Sequence, residues 1–453
     1  DRGCAMDEDS RLRDEAVELL SALIRFDTTN PPGNELECAR FLAGWLTERG
    51  VSSEVVQSEP GRGNVAALLP GDEDEKPLLI MGHLDVVPAG DAAKWSRDPF
   101  GGEVAEGCVW GRGAIDCKGL VAAQAVALVG LARGGGGGRP VRFLATADEE
   151  VGGRAGIGWI VKNRPELADC WASVTEGGGE VYDFGERRFA SFMVGEKGQL
   201  RLRLTARGTQ GHAAIPGDDQ AVYVLGEILR RLEKLEPEYR VTPANRELLD
   251  RVLGGSGPEG RLRRRLEAGD RAAWAKFLEM VGETAGRVRA HVEALYTDTL
   301  SPTVLKGSDK INVIPGEATV LCDCRLLPGS EPEAKLARLE GLLADLPVEV
   351  AVENAHAASL SSVDHPVVET VRGLLPKWEE GLELLPTICL GGTDSRQLRW
   401  AGYDAYGYIP FPSKPNLTDM PSRVHGVDER LELAILGEVT RRTLDLVREL
   451  RRR

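Results

Sequence analysis

The chain holds 453 residues, enough for two or three domains or for one large domain carrying an insertion, at roughly 100 to 200 residues per domain. Apolar residues make up 42% and charged residues 28%, too apolar for a disordered chain and ordinary for a globular one. Its 56 Lys and Arg against 71 Asp and Glu leave a net charge of −15, which disfavours general binding of nucleic acid or of an anionic membrane; a few local cations in a cleft can still hold a small anion.

In chain order, the first residues are charged and lack an apolar h-region, so no secretory signal is expected. An amphipathic helix is predicted near residues 10–25, then the turn Thr28-Thr29-Asn30-Pro31-Pro32-Gly33, then a second helix near 35–49. Short apolar runs at 65–69, 78–81 and 141–146, bounded by Gly, Pro or charge, predict strands. The longest apolar run, 119–132, lies between Lys118 and Arg133; it falls short of the ~18 residues needed to cross a bilayer and reads as a buried helix. This alternation predicts an α/β sheet with helices on its faces. Five consecutive glycines at 134–138 predict a loose surface connection. From about Gly195 the pattern changes, and Leu200-Arg201-Leu202-Arg203-Leu204 alternates as a half-exposed antiparallel strand should, so a second domain is expected to start there. Helical patterns at 220–234 and around 261–295 precede strands near 319–325 and 348–352, and the inserted domain is expected to close near 353. Residues 366–378 and 431–450 then read as helices, with strands around Thr387 and Tyr406 rejoining the first sheet. Eight cysteines without CxxC spacing argue against a disulfide scaffold and a cysteine zinc site, which makes a reducing cytoplasm the default.

Five segments place acids or histidines just after strand candidates or in loops. The run 78–81 leads into Gly82-His83-Leu84-Asp85, with His83 and Asp85 on one side of an extended chain. A neighbouring acid such as Asp85 can hold the second nitrogen of a metal-bound imidazole. Asp116 sits in the glycine-framed Gly111-Arg112-Gly113-Ala114-Ile115-Asp116-Cys117-Lys118-Gly119; 141–147 runs into Asp148-Glu149-Glu150, 171–175 into Glu176-Gly177-Gly178-Gly179, and His425 precedes the last helix. In an open α/β sheet such loops converge on one crevice outside the carboxyl ends of the strands. An acidic cluster with two histidines and no thiolate suits two Zn(II) ions about 3.5–4 Å apart sharing one carboxylate. Singly, His83 reads as a structural histidine and Glu149-Glu150 as a solvated loop; their joint occurrence points to a site.

The chain resembles the di-zinc metallopeptidase and aminoacylase family, which includes aminoacylases, carboxypeptidases of the G and S types, acetylornithine deacetylase and succinyl-diaminopimelate desuccinylase. The resemblance rests on Gly82-His83-Leu84-Asp85-Val86-Val87-Pro88, Trp95 with Asp98-Pro99-Phe100, Gly111-Arg112-Gly113-Ala114 leading to Asp116 and Lys118-Gly119, Ala147-Asp148-Glu149-Glu150 with Gly152-Gly153, Gly208-Thr209-Gln210-Gly211-His212, and Asn312-Val313-Ile314-Pro315 with Arg325. It implies an α/β catalytic domain, 1–194 and 354–453, built on a mixed central sheet with helices on both faces, and an inserted α+β lid, 195–353, through which the chain forms a homodimer. It implies two zinc ions, with Co(II) or Mn(II) as alternatives: Asp116 bridges them, His83 and Glu176 complete one site, and Glu150 and His425 the other. Asp85 would support His83. Glu149 would act as general base on the attacking water and then protonate the leaving amine. His212 would reach the active site of the partner subunit and help stabilise the oxyanion with Asn312 nearby, Arg325 would hold the substrate carboxylate, and Gly392 and Thr393 would belong to a second substrate loop.

Glu176 stands where Asp is frequent in this family. Asp116-Cys117 is expected to be a cis peptide, and Cys117 to be a packed thiol, with a third metal ligand as the sharper alternative. An extended chain would point Glu149 and Glu150 to opposite sides. The stretch 242–301 exceeds what compact members need; His291, His356 and His365 read as surface or structural, Cys322 and Cys324 as packed on one strand face, and Arg451-Arg452-Arg453 as a solvated tail. The expected function is hydrolysis of an amide bond next to a free carboxylate, in an N-acyl amino acid or short peptide. A dedicated biosynthetic deacylase, such as a desuccinylase or deacetylase, is the alternative; a non-catalytic metal-dependent binding protein would need no Glu149. A serine hydrolase is disfavoured, since no G-x-S-x-G elbow occurs.

Overall fold

The computed structural model describes residues 2–135, 137–184, 187–253, 256–284, 286–413 and 423–453. The chain forms two compact units, one of Asp1–Val194, Ser361–Pro386 and Gly392–Arg453, the other of Gly195–Leu360 and Thr387–Gly391.

The first unit is built on a mixed sheet in which Ser52–Glu59, Arg62–Leu69, Val141–Thr146, Leu78–His83, Ala172–Thr175, Ala405–Gly407 and Arg187–Glu196 lie side by side in that order. Val141–Thr146, Leu78–His83, Ala172–Thr175 and Ala405–Gly407 run parallel, and antiparallel strands flank them. Leu78 to His83 are all buried, which is why this strand reads as a continuous apolar run rather than an alternating one. On one face Leu79, Met81 and Leu144 pack against Ile157, Ile160 and Leu398. On the other, helix Lys118–Gly134 is buried from Lys118 to Leu131 and packs against Arg2–Ile24 and Leu433–Leu450. Burying each of its Leu and Val side chains stabilises the fold by about 1.5–3 kcal/mol before chain entropy is charged against it. At its start the buried Lys118 Nζ donates to the carbonyls of Leu23 (3.0 Å) and Phe26 (2.8 Å), anchoring the helix N-terminus to the chain leaving the first helix.

The second unit carries a four-stranded antiparallel sheet ordered Thr299–Lys306, Glu317–Leu326, Gly198–Arg207, Val348–His356. Leu200, Leu202 and Leu204 with Val320, Cys322 and Cys324 form its buried face against Leu225, Ile228 and Leu339 of the covering helices, so the two cysteines pack as small apolar residues. The other face is charged, with Arg203 Nε 2.6 Å from Glu353 Oε1 across strands. The pattern expected as one helical region around 261–295 is broken into Gly257–Glu267, Arg271–Thr284 and Gly286–Tyr296, preceded by Pro243–Leu253. These helices gather around Trp274, which is fully buried and stacked on Tyr239 at 4.8 Å.

The C-terminal tail departs from expectation at Arg451 alone, Arg452 and Arg453 being exposed. Arg451 is buried, its Nε donating to the Arg139 carbonyl at 3.0 Å, and Gly138 packs against Arg451, so this end of the glycine run is held. Gly136 lies outside the described residues.

Candidate metal centre and active site

The parallel strands end together. His83 closes Leu78–His83, Thr146 closes Val141–Thr146 ahead of Asp148-Glu149-Glu150, and Thr175 precedes Glu176. Asp116 and Cys117 arrive from the loop before the buried helix, and the Asp116-Cys117 peptide is cis, as expected.

Asp116 stands between two imidazoles. Its Oδ1 is 3.0 Å from His83 Nε2 and its Oδ2 is 3.1 Å from His425 Nε2. Glu176 Oε2 is 3.2 Å from His83 Nε2, and Glu150 Oε1 is 3.4 Å from His425 Nε2. The donor atoms of His83, Asp116, Cys117 and Glu176 all lie within 4.8 Å of one another, as do those of Asp116, Glu150 and His425. His83 Nδ1 is 3.0 Å from the Asp85 backbone carbonyl, which leaves Nε2 as the nitrogen aimed into the cluster. The support from Asp85 is therefore through its carbonyl. Its carboxylate, 3.6 Å from Nδ1, instead accepts the backbone N–H of Glu149 (3.0 Å) and Glu150 (3.1 Å) and the Asn30 amide (2.8 Å).

Glu149 and Glu150 are not an extended strand end. Asp148 takes a left-handed conformation at φ 71°, and Glu149–Val151 closes a tight turn, so the two acids leave from consecutive positions of a turn pinned by Asp85. Both line a cavity of about 400 Å³ together with Asp116, Glu176, His425, Gly392 and Thr393, and with an apolar wall of Ile115, Ile409, Phe411 and Val424.

The electrostatics favour positive charge in this cluster. Withdrawal from water, with Glu176, Asp394 and Glu150 nearby, holds the Glu149 carboxyl well above its usual range. Hydrogen bonding to Asp116 and Glu150 pushes His425 up to about 10. Converging carboxylates and two imidazole nitrogens are donors that could hold divalent cations. Cys117 Sγ accepts the His83 N–H at 3.1 Å, and burial pushes its thiol up.

Sequence reasoning missed the layer beneath. Glu429, fully buried, accepts the N–H groups of Ile115 (2.8 Å) and Asp116 (3.2 Å) and pairs with Arg112, whose Nη2 donates to the His425 carbonyl at 3.1 Å. Arg62 pairs with Glu35 at 3.0 Å and with Asp148. Burial of such charges leaves no local signal in a sequence; the position of Glu429 four residues after His425 was the available hint.

The remaining expected residues lie in the second unit. His212 is exposed in a two-residue strand paired with Val313–Ile314, and its Nδ1 accepts the Ala214 N–H at 3.1 Å. The exposed Asn312 gives its carbonyl to Ala213 N at 3.1 Å. Arg325, half-buried, donates from Nε to Asp323 at 2.7 Å. In the first unit His365 caps helix Pro366–Trp378, a structural role.

A family model described as Peptidase family M20/M25/M40 matches residues 79–449. Among curated relatives, a succinyl-diaminopimelate desuccinylase of Methylobacterium nodulans is 30% identical over 445 residues, covering 95% of each chain. A probable carboxypeptidase S-like protein of Dictyostelium discoideum is 27% identical over 374 residues, 80% of this chain and 69% of that one. An N-fatty-acyl-amino acid synthase/hydrolase of Xenopus tropicalis is 26% identical over 447 residues, 92% of this chain and 82% of that one. Among solved structures, an M20 family metallo-carboxypeptidase from Sulfolobus solfataricus shares the fold with a TM-score of 0.70 at 19% identity, covering 96% of this chain and 98% of its own.

Proposed function

The chain belongs to peptidase family M20/M25/M40, a family of amide and peptide hydrolases, and on that premise we propose that it cleaves N-acyl amino acids or short peptides next to a free carboxylate, using two zinc ions. The observation that carries this reading is Asp116 set between His83 and His425, each with its own second acid and with Glu149 at the edge of the same cavity. Asp116 would bridge the pair, with His83 and Glu176 on one side and Glu150 and His425 on the other. When bound, the cations polarise the scissile carbonyl and lower the pKa of the attacking water. Nitrogen and oxygen donors without a thiolate suit Zn(II), with Co(II) and Mn(II) as the competitors to be assayed.

Glu149, which lines the cavity, would take the proton of the attacking water and return it to the leaving amine. Asp85 holds both N–H groups of the turn that presents Glu149 and Glu150, fixing where those carboxylates start. Arg325, whose planar fork suits a carboxylate, would hold the free carboxylate of the substrate, with Gly392 and Thr393 offering backbone groups and a hydroxyl. His212 of a partner subunit, with Asn312, would stabilise the oxyanion. The proposed homodimer forms through the inserted lid, 195–353, where Ile215, Tyr223, Leu305 and Ile311 are exposed. Among the described residues no helix is long and apolar enough to cross a membrane. Cys38, Cys108, Cys117, Cys170, Cys322 and Cys324 form no disulfide, and a cytoplasmic location is the proposal.

The testing experiment is a hydrolysis screen of acetyl, longer acyl and succinyl amino acids and of dipeptides, with Zn(II), Co(II) or Mn(II), against C-terminally amidated analogues. Turnover lost on amidation supports the reading; equal turnover of the amides removes the carboxylate requirement. The relative from Methylobacterium nodulans favours a second reading, a dedicated desuccinylase, because the likeness spans 95% of both chains. A succinyl donor turned over well above the other acyl donors would select it.

A further inference from the structure

Asp394, named above only as a neighbouring charge, lies beneath the site. Its carboxylate is buried at 2% exposure. It begins the short helix Ser395–Trp400 in the capping position, where an Asp side chain ordinarily binds the helix's own N–H groups, but here it makes no such bond. Instead Oδ2 accepts the hydroxyl of Thr146 at 2.8 Å, at the end of the strand that leads into the acid turn. The same hydroxyl is 3.3 Å from the carbonyl of Gly82, the residue before His83.

The other oxygen faces the far side of that turn. Oδ1 is buried without a hydrogen bond among the described residues, and a Cβ on Gly153 would come within 2.3 Å of it. Gly153, at φ 70°, closes the turn by donating its N–H to the Asp148 carbonyl at 2.6 Å. From the same short helix, Gln397 Nε2 donates to the Gly152 carbonyl at 3.3 Å. Immediately before Asp394 lie Gly392 and Thr393, which line the cavity. One buried carboxylate thus touches the strand end before the acid turn and the glycine that closes it, and is joined covalently to the loop on the cavity wall.

We propose that Asp394 is a positioning residue that locks the Gly392-Thr393 loop to the turn carrying Glu149 and Glu150, setting the distance between the bound substrate and the general base. The inference rests on the hydrolase reading of the site. A loop and a base held in register by one side chain lose alignment together, and a misplacement near 1 Å can cost about 100-fold in rate. The acceptor geometry, not the charge, matters for Thr146, so an amide of the same shape should largely serve.

The test compares Asp394→Ala, Asp394→Asn, Thr146→Val and the double variant Asp394→Ala/Thr146→Val in the metal-loaded full chain, with kcat, KM, metal content and thermal midpoint measured for each. Asp394→Ala is expected to raise KM by about tenfold and lower kcat by about 30- to 100-fold with metal content unchanged, and Asp394→Asn to stay within about fivefold of wild type. The double variant is expected to be no worse than Asp394→Ala, because both groups act through one bond. A role in stability alone would lower active protein and leave KM unmoved. That result, or multiplying effects in the double variant, would overturn the proposal. Should Asp394→Ala fail to fold, Thr146→Val decides: a KM raised at least about threefold supports the proposal and an unchanged KM overturns it. A wild-type chain without turnover overturns the hydrolase reading and the inference with it, whereas an active wild type matched by Asp394→Ala overturns the inference alone.

Discussion

Arg62 holds together the charged layer behind the acid turn, and replacing it by Met is expected to destabilise the metal-free chain by about 3–5 kcal/mol, the usual result of removing one partner from a buried pair. The guanidinium is 6% exposed, lies 3.0 Å from Glu35 Oε1, pairs with Asp148 and donates to the Pro32 carbonyl at 3.1 Å. Methionine keeps much of the apolar stem but leaves Glu35 fully buried, with neither oxygen hydrogen-bonded among the described residues. Even with Arg62 present, burial and the Asp85 carboxylate push Glu35 from 4.5 up to about 7. At about 1.36 kcal/mol per pH unit, that shift amounts to roughly 3 kcal/mol lost by holding Glu35 ionised. Because its folded pKa lies above the unfolded one, this loss is absent below pH 4.5, grows between 4.5 and about 7, and is complete above. Arg62 lowers the Glu35 pKa, so its removal raises that pKa further and adds a loss that appears only above about pH 7: Arg62→Met should be most damaging at pH 8 and least at pH 5, and adding Glu35→Gln should recover about 2 kcal/mol or more at pH 8 by removing the stranded charge. Urea unfolding of the metal-free protein at both pH values, followed by circular dichroism, measures this without metal linkage. An Arg62→Met loss under about 1 kcal/mol at pH 8, or no recovery on adding Glu35→Gln, would refute the reasoning.

Other expectations follow from single positions. Gly156→Ala places a Cβ 1.9 Å from the Ala147 carbonyl, so it is expected to destabilise by at least about 1–3 kcal/mol and to disturb the acid turn; a urea midpoint equal to wild type would contradict it. His83→Asn and His425→Asn each remove one imidazole from a different side of Asp116, and each is expected to lower bound metal from two ions to about one per chain by elemental analysis. Loss of neither ion would remove these histidines from the ligand set. Dialysis against a chelator should abolish hydrolysis and adding back Zn(II), Co(II) or Mn(II) should restore it, read as initial rates.

What could be read in advance follows the physics of each element. Leu78–His83 and Lys118–Gly134 are buried on all sides, so their apolar runs stand out. Ser52–Glu59 is mostly polar, and Thr299–Lys306 is largely exposed and carries Pro302, so neither shows an alternating apolar pattern to notice. His83, Asp116, Glu150, Glu176 and His425 were legible because motif residues sit at strand ends or beside glycines, and the fold brings those five side chains together. The buried supporting roles of Arg62, Glu35, Arg112, Glu429 and Asp394 were not, even where a motif contained the residue, because a charged residue in a sequence reads as surface until its burial is known. The turn at Asp148 escaped for a related reason: its left-handed backbone is imposed by contacts to Arg62, Asn30 and the Ala155 N–H, all distant in sequence or invisible to local propensity.

The most direct test of the two-metal hydrolase account is Glu149→Gln, measured for metal content and for turnover of the best acyl amino acid or peptide found. Two metal ions per chain with kcat lowered by about 100- to 10,000-fold is the expected result, because the amide keeps the shape of the side chain and cannot accept the proton. Turnover within about tenfold of wild type with both ions retained would contradict the assignment of Glu149 as the general base.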